Sequence, residues 1–301
     1  MRQGPDYIQF YPTLHCNRSC NFCFNRSLAS MDHMPVSFFR AMLGRLPPSV
    51  RTLDIIGGEP TLHPGIVPLL QAASSAGLRV NLSSNGSNVS VLQAIASTEP
   101  DITIGVSVND HAVLNGLSRF IKVARPVVKT VYSRSLAPSL VRTIMLLEPK
   151  AFYYIFRDAT GPHDLAETIP FPDFLSAVSR SEPRAGTVYC SGFLPDTAAY
   201  PDLASVRCPA GTAKLGVLPD GSVYPCNLLF GRPEFLLGNI LTDPFEVIWN
   251  HPVLNWFRSF TQNRCPRREC RHHAKCHGGC PAQSLLLTAD VNAPDPRCIP
   301  A

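Results

Sequence analysis

The eleven cysteines constrain this chain most, because they are so unevenly placed. Cys16, Cys20 and Cys23 share one short segment, the next is Cys190, and seven more fall between Cys208 and Cys298. Two clusters separated by a long cysteine-free stretch read as a scaffold with a site near one end, followed by a second metal-rich module. Disulfides are not expected. Residues 1–5 carry no signal-peptide pattern and an apparent strand starts at Tyr7, so the chain is expected to be cytoplasmic, where thiols stay reduced and clustered cysteines indicate metal. Hydrophobic residues make up 45% of the 301, enough for a sizeable core. No apolar run approaches the ~18 residues of a spanning helix, so no membrane partner is expected. The net charge of +5 is mild and partly local, with Arg264, Arg267, Arg268, Arg271 and Lys275 close together. It reads as a solvated face, not a nucleic-acid footprint.

The middle of the chain alternates strand and helix patterns. Short β-branched or aromatic runs predict strands over 7–11, 52–56, 80–83, 102–108, 127–132 and 152–156. Helical spacing predicts helices over 37–46, 65–76, 89–96, 111–123 and 139–147, the second ending at Gly77, a natural helix terminator. Such alternation implies an α/β fold with a parallel sheet and right-handed crossovers. Six strands fit an open partial barrel or a doubly wound sheet, and periodicity alone does not choose. Residues 1–170 read as this core, 171–205 as a connection with a helix over 171–179, and 206–301 as the second module. In that module 214–218 and 222–224 read as a hairpin turning at Asp220-Gly221. Amphipathic pieces follow at 245–249 and 253–260, and the tail from Thr261 shows little regular structure.

In Cys16-Asn-Arg-Ser-Cys20-Asn-Phe-Cys23, three thiolates can face one metal centre from a single loop. A zinc site or a fully ligated four-iron cluster needs a fourth ligand, and none is close. Three ligands on a four-iron cluster leave one iron open to a small molecule. The alternative is a zinc knot completed by His15 or a distant residue.

A CxxxCxxC loop after a first strand, with an aromatic (Phe22) before the last cysteine, resembles the radical S-adenosylmethionine superfamily. Gly57-Gly58-Glu59-Pro60 after the second strand resembles the family's GGEP motif, which holds the amino group of the methionine moiety. Ser84-Asn85-Gly86 resembles the ending of its third strand, with serine in place of threonine. Ser107-Val-Asn-Asp110 resembles the ending of the fourth, and Ser107 and Arg119 match two further cofactor-contacting positions. Each motif falls at the C-terminal end of a strand, where ligand sites of parallel sheets gather. The resemblance implies a partial (β/α)6 TIM-like barrel, a [4Fe-4S] cluster on Cys16, Cys20 and Cys23, and bound S-adenosyl-L-methionine. It also implies oxidoreductase chemistry initiated by a 5′-deoxyadenosyl radical.

The later cysteines resemble the SPASM module, a small twitch-like appendage that carries auxiliary four-iron clusters. Cys208 is followed by Gly221, four residues and Cys226; the gaps after Cys270 are five, three and seventeen residues. The family pattern has two residues where Cys265 and Cys270 are separated by four. The resemblance implies one auxiliary cluster on Cys208, Cys226 and Cys280 and another on Cys265, Cys270, Cys276 and Cys298. Cys190 is a candidate fourth ligand for the first, or a buried apolar residue. A pair of zinc sites, with His272, His273 or His277 as ligands, is the alternative.

Relatives with this module mostly modify peptides or proteins, by crosslinking or side-chain oxidation, so a peptide or protein substrate is expected. A small molecule such as a tetrapyrrole, or a non-catalytic electron carrier, are the alternatives; the last would leave Gly57–Pro60, Ser107 and Arg119 without a role. In sulfatase-maturing relatives a carboxylate follows the cysteine equivalent to Cys226 and acts as base. Here that position is Asn227, and an amide accepts no proton at neutral pH. Only about six residues precede the first strand, so an N-terminal leader-binding module is not expected. Phe152, Tyr153, Tyr154 and Phe156 are candidates for the barrel mouth, although alternation lets only half face inward. The basic tail is a candidate docking face for an acidic flavodoxin or ferredoxin.

Overall fold

The computed structural model describes residues 4–188, 208–258 and 264–298. Cys190 lies outside the described residues. Alternating elements run β1 (Tyr7–Phe10), α1 (Val36–Leu43), β2 (Thr52–Ile55), α2 (Ile66–Ser75), β3 (Arg79–Ser84), α3 (Val89–Thr98), β4 (Thr103–Ser107), α4 (His111–Ala124), β5 (Val127–Val131), α5 (Pro138–Leu146) and β6 (Ala151–Ile155). All six expected strands and the five helices between them are present, within a few residues of their expected ends. A short α6 (Pro162–Leu165), α7 (Phe171–Ser181) and β7 (Gly186–Val188) follow. The second module contributes β8 (Lys214–Val217), β9 (Ser222–Tyr224), β10 (Gly238–Asn239), α8 (Phe245–Trp249), α9 (Asn255–Arg258), α10 (His273–Cys276) and α11 (Pro281–Thr288). The tail is therefore more regular than its composition suggested.

The sheet order is β10-β9-β8-β1-β2-β3-β4-β5-β6-β7. β1 to β7 are parallel neighbours, the arrangement of a partial barrel. The second module does not stand apart from this sheet. β8 pairs parallel with β1, from Tyr7 opposite Lys214 to Phe10 opposite Val217. β8 and β9 form the expected antiparallel hairpin, and Gly221 turns it at φ +86°, a conformation glycine adopts without a Cβ clash.

Strand alternation decides what lies on each face. Ile8, Phe10, Leu53, Ile55, Val128, Phe152 and Tyr154 are buried and belong to the main core with Leu69, Leu92, Leu117 and Ile144 of the helices. Each such side chain contributes about 1.5–3 kcal/mol by leaving water. The alternate residues, among them Tyr7, Gln9, Asp54 and Lys129, are less buried and face a cavity on the concave side. Of the four candidate mouth aromatics, Phe152 and Tyr154 are therefore core residues. Phe156 is buried at the cavity edge, under the Arg297 guanidinium, 4.8 Å from its ring centroid.

Candidate active site

Two loops at the ends of neighbouring strands build the first part of the site. The chain leaving β1 runs through residues 12–15 into the three cysteines, and the Gly57-Gly58 turn leaving β2 docks on it. Gly58 N donates to Thr13 O at 3.0 Å and Glu59 N to His15 O at 2.7 Å. A Cβ at Gly58 would run into the Leu14 and His15 carbonyl oxygens, so close approach of the two backbones requires glycine there. The turn after β3 closes the third side. Asn85 Nδ2 donates to Asn17 Oδ1 at 3.1 Å and approaches Cys16 Sγ at 3.7 Å.

The three thiols are mutual neighbours. Burial pushes the Cys20 thiol up; Cys23 and Cys16 add to the rise and Arg18 opposes it. Among the described residues, no three His, Cys, Asp or Glu side chains form a group that would hold a single metal ion.

Cys16, Cys20, Phe22, Cys23, Gly57, Gly58, Ser84, Asn85 and Ser107 line one cavity of about 590 Å³. A smaller cavity of about 320 Å³ adjoins it, and Phe22 borders both. Two candidate cofactor residues are placed elsewhere. Glu59 is fully buried and outside the cavity lining. Its Oε1 accepts from Thr61 N (3.0 Å), Thr61 Oγ1 (2.6 Å) and Ser84 Oγ (2.8 Å), and its Oε2 from Asn85 N (2.6 Å). The carboxylate thus ties the end of β2 to the end of β3. Arg119 lies on the exposed face of α4, because Leu114, Leu117, Phe120 and Ile121 take the face that packs on the sheet.

The cavity reaches the second module. Cys208, Cys226, Asn227 and Cys280 line it, and the three cysteines share a core cluster with Tyr11, Phe230 and Phe257. Cys265, Cys270, Cys276 and Cys298 gather separately. Burial raises the Cys276 thiol, with Cys265 and Cys270 adding to the rise. The Cys298 thiol is pushed up to about 11, chiefly by burial, with Asp295 and Cys265 adding and Arg267 opposing. A buried strut joins this region to the barrel. Arg297 donates to Asp295 Oδ2 at 2.8 Å and to Asp158 Oδ1 at 2.9 Å, while Asp295 accepts from Cys280 N at 3.0 Å.

Sequence reasoning missed the polar layer below the cysteines. Tyr7 OH donates to Asp54 Oδ2 at 2.6 Å, and Lys129 Nζ donates to Ser83 Oγ at 2.6 Å. Lys129 stands on β5 and reaches across β4 at Gly105, where a Cβ would crowd its Cε. Burial raises the Asp54 carboxyl above its ordinary range, although Lys129, Tyr7 and Lys214 all favour its charged form. Burial likewise lowers the Lys129 ammonium, with Asp54 opposing. The signal was present in strand parity: Tyr7, Gln9, Asp54 and Lys129 are the polar members of alternating strands.

Comparison with known proteins bears on this arrangement. Residues 10–121 match the radical SAM superfamily, and residues 208–280 match SPASM, an iron–sulfur cluster-binding domain. The chain belongs to the radical SAM superfamily and carries a SPASM domain. Both matched segments contribute to the cavity just described. Mycofactocin maturase MftC of Mycobacterium ulcerans is 34% identical over 94 residues, 31% of this chain and 25% of the relative. A PqqA peptide cyclase of Gluconobacter oxydans is 23% identical over 320 residues, 95% of this chain and 88% of the relative. The first three curated relatives are matched over only about a quarter to a third of their own length. Among solved structures, Streptococcus suis SuiB bound to S-adenosylmethionine shares the fold, with a TM-score of 0.76 at 18% identity over 98% of this chain and 77% of that one. Among the described residues, no helix is long and apolar enough to cross a membrane.

Proposed function

We propose that this radical SAM protein is an enzyme that reductively cleaves S-adenosylmethionine and abstracts hydrogen from a peptide or protein substrate. The observation that carries the reading is convergence. One cavity is lined by the three-cysteine loop, the Gly57-Gly58 turn, the ends of β3 and β4, and three cysteines of the SPASM module. The peptide substrate class is supported by a relative named as a PqqA peptide cyclase.

Cys16, Cys20 and Cys23 would hold the catalytic [4Fe-4S] cluster. Such a cluster would supply the electron for reductive cleavage of S-adenosylmethionine, the source of the radical that would take hydrogen from the substrate. The chain's own groups do the rest. Gly57, Gly58, Ser84, Asn85 and Ser107 would hold the cofactor against the cysteine loop, and Phe22 borders both cavities. Cys208, Cys226 and Cys280 would hold one auxiliary cluster and Cys265, Cys270, Cys276 and Cys298 the other. Asn227 offers no base, and Asp54 supplies the cavity with a carboxyl placed to accept a proton. In this reading residues 1–170 form the catalytic core and 206–301 the auxiliary module, joined by 171–205, and the protein works in the cytoplasm. Exposed Arg268, Arg271 and Lys275, with Arg267, flank the second auxiliary site and suit an acidic flavodoxin or ferredoxin.

Anaerobic reconstitution tests this. About twelve iron atoms per chain are expected for three clusters, together with 5′-deoxyadenosine release under strong reductant. Replacing Cys16, Cys20 and Cys23 by alanine should abolish that release and leave the auxiliary clusters in place. Iron near four per chain with zinc alongside, or release that survives the triple substitution, would overturn the reading. Reversing Arg267 and Arg268 to glutamate should slow reduction by an acidic donor several-fold at low salt, with the difference vanishing as salt screens the charges over about 8–10 Å. Equal rates at every ionic strength would remove the docking face.

A further inference from the structure

The turn that leaves β3 aims a side-chain amide at the cysteine loop. The main chain of Asn85 is pinned first, its N donating to the fully buried Glu59 at Oε2, 2.6 Å away. Its side chain is pinned from the other end, Oδ1 accepting from Ser87 N at 2.8 Å. Asparagine closes such a bond to the backbone two residues on readily, and Gly86 between them takes φ +75°. The Ser87 bond decides which way the amide points, because a backbone N–H only donates. Oδ1 must face Ser87, so Nδ2 faces the loop. One Nδ2 hydrogen goes to Asn17 Oδ1 at 3.1 Å, and Asn17 is held in turn by its own Nδ2, which donates to Ser87 Oγ at 2.9 Å. The second hydrogen is left for Cys16 Sγ, 3.7 Å from the nitrogen. Asn85 is half-buried and lines the cavity beside Cys16. A thiol is a weak acceptor. A thiolate sulfur bound to iron carries negative charge, and a hydrogen bond to a charged acceptor is roughly twice as strong as a neutral one.

We propose that Asn85 Nδ2 donates a hydrogen bond to the Cys16 sulfur of the cluster held by Cys16, Cys20 and Cys23, and so raises that cluster's reduction potential. The inference rests on the reading of these cysteines as cluster ligands. A donor to sulfur favours the reduced, more negative cluster; removing it lowers the potential. Leucine in place of Asn85 has nearly the same size and no donor. Aspartate keeps the bond from Ser87 N and turns an anionic acceptor toward Cys16 where the donor stood. Asn85 acts on the electron through Cys16 and is a positioning residue.

The test is an EPR-monitored redox titration of the reconstituted full chain, Asn85→Leu and Asn85→Asp. The catalytic signal is first identified as the one that changes on adding S-adenosylmethionine and disappears when Cys16, Cys20 and Cys23 are replaced by alanine. The titration itself is run without S-adenosylmethionine, so that a contact between Asn85 and the cofactor cannot move the result. With iron content unchanged, the catalytic midpoint should move to more negative potential in Asn85→Leu and further in Asn85→Asp, while the auxiliary signals stay in place. Isotope labelling of asparagine side-chain amide nitrogens should also give the reduced catalytic cluster a nitrogen coupling in pulsed EPR that Asn85→Asp lacks. No such coupling in the unsubstituted protein overturns the inference without any variant, so the test stands if the variants load poorly. Unchanged midpoints in loaded variants, or a shift shared equally by the auxiliary signals, overturn the inference alone. If the unsubstituted protein shows no signal responsive to S-adenosylmethionine, the cluster reading itself fails and the inference with it.

Discussion

Replacing Glu59 by glutamine separates a structural role from a ligand contact, because the structure commits every part of this carboxylate. A glutamine oxygen at the Oε1 position keeps the bonds from Thr61 and Ser84, but the amide nitrogen then faces Asn85 N–H, which now sits 2.6 Å from Oε2. The two serine/threonine hydroxyl hydrogens can rotate; the backbone N–H cannot. One charge-assisted bond is lost, about 1.5–3 kcal/mol, and the remaining ones weaken toward neutral strength. The sum is on the order of 3–4 kcal/mol. At about 2–4 °C per kcal/mol, and toward the lower figure for a chain this long, the apparent Tm should fall by roughly 5–10 °C. Calorimetry on the anaerobically purified protein, paired with a titration of S-adenosylmethionine, makes the measurement. An unchanged Tm with cofactor binding weakened tenfold would refute the reasoning and place the Glu59 carboxylate against the ligand.

Three further outcomes are expected. Gly58→Ala should separate the Gly57-Gly58 turn from the cysteine loop, because the obstructing atoms are backbone carbonyls that cannot yield; loss of S-adenosylmethionine binding with cluster iron retained is the signature. Lys129→Met removes a cation that favours ionised Asp54 and should cost about 3 kcal/mol at pH values above the raised Asp54 value and below the lowered Lys129 one, where both groups are charged. The Asp54 carboxyl, already raised, rises further, so the deficit in chemical denaturation should be small at acid pH, where Asp54 is protonated in both proteins, and grow as pH climbs from the raised value toward the variant's still higher one. Asp164 behaves oppositely. Burial would raise it, but bonds from Thr160, Arg157 and Arg26 hold it below its usual 3.8. Its contribution is present above that value and disappears as pH falls through the lowered one, so Asp164→Asn and the unsubstituted protein should converge in stability only in strong acid.

The barrel was legible because each strand and helix announces its own period. Ile8 and Phe10, or Leu114, Leu117 and Ile121, mark a buried face without reference to anything distant. What escaped was non-local. β7 is three residues long and carries no alternation to read. The helices α10 and α11 hide in a cysteine-rich tail, α11 starting at a proline that suits a first helical position but resembles a break in sequence. That β8 would lie beside β1 follows from packing across two hundred residues. In the site, motif order located the backbone turns, while side-chain partners were not readable. Ser84 and Asn85, which occupy Glu59, are about 25 residues away from it. Arg119 is a different case: the spacing of α4's apolar residues already excluded it from the inner face.

The pairing of β8 with β1 has a consequence for how the chain can vary. Cys16 follows β1 by a few residues and Cys226 follows the β8–β9 hairpin, and strands in one ladder sit about 4.8 Å apart. The spacing between the two cysteine sites is therefore set by hydrogen-bond register, Tyr7 to Lys214 and Phe10 to Val217. A slip of one residue in the β1–β8 register turns every side chain of the strand to the other face. The β1–β8 ladder is thus where a one-residue insertion would be least tolerated.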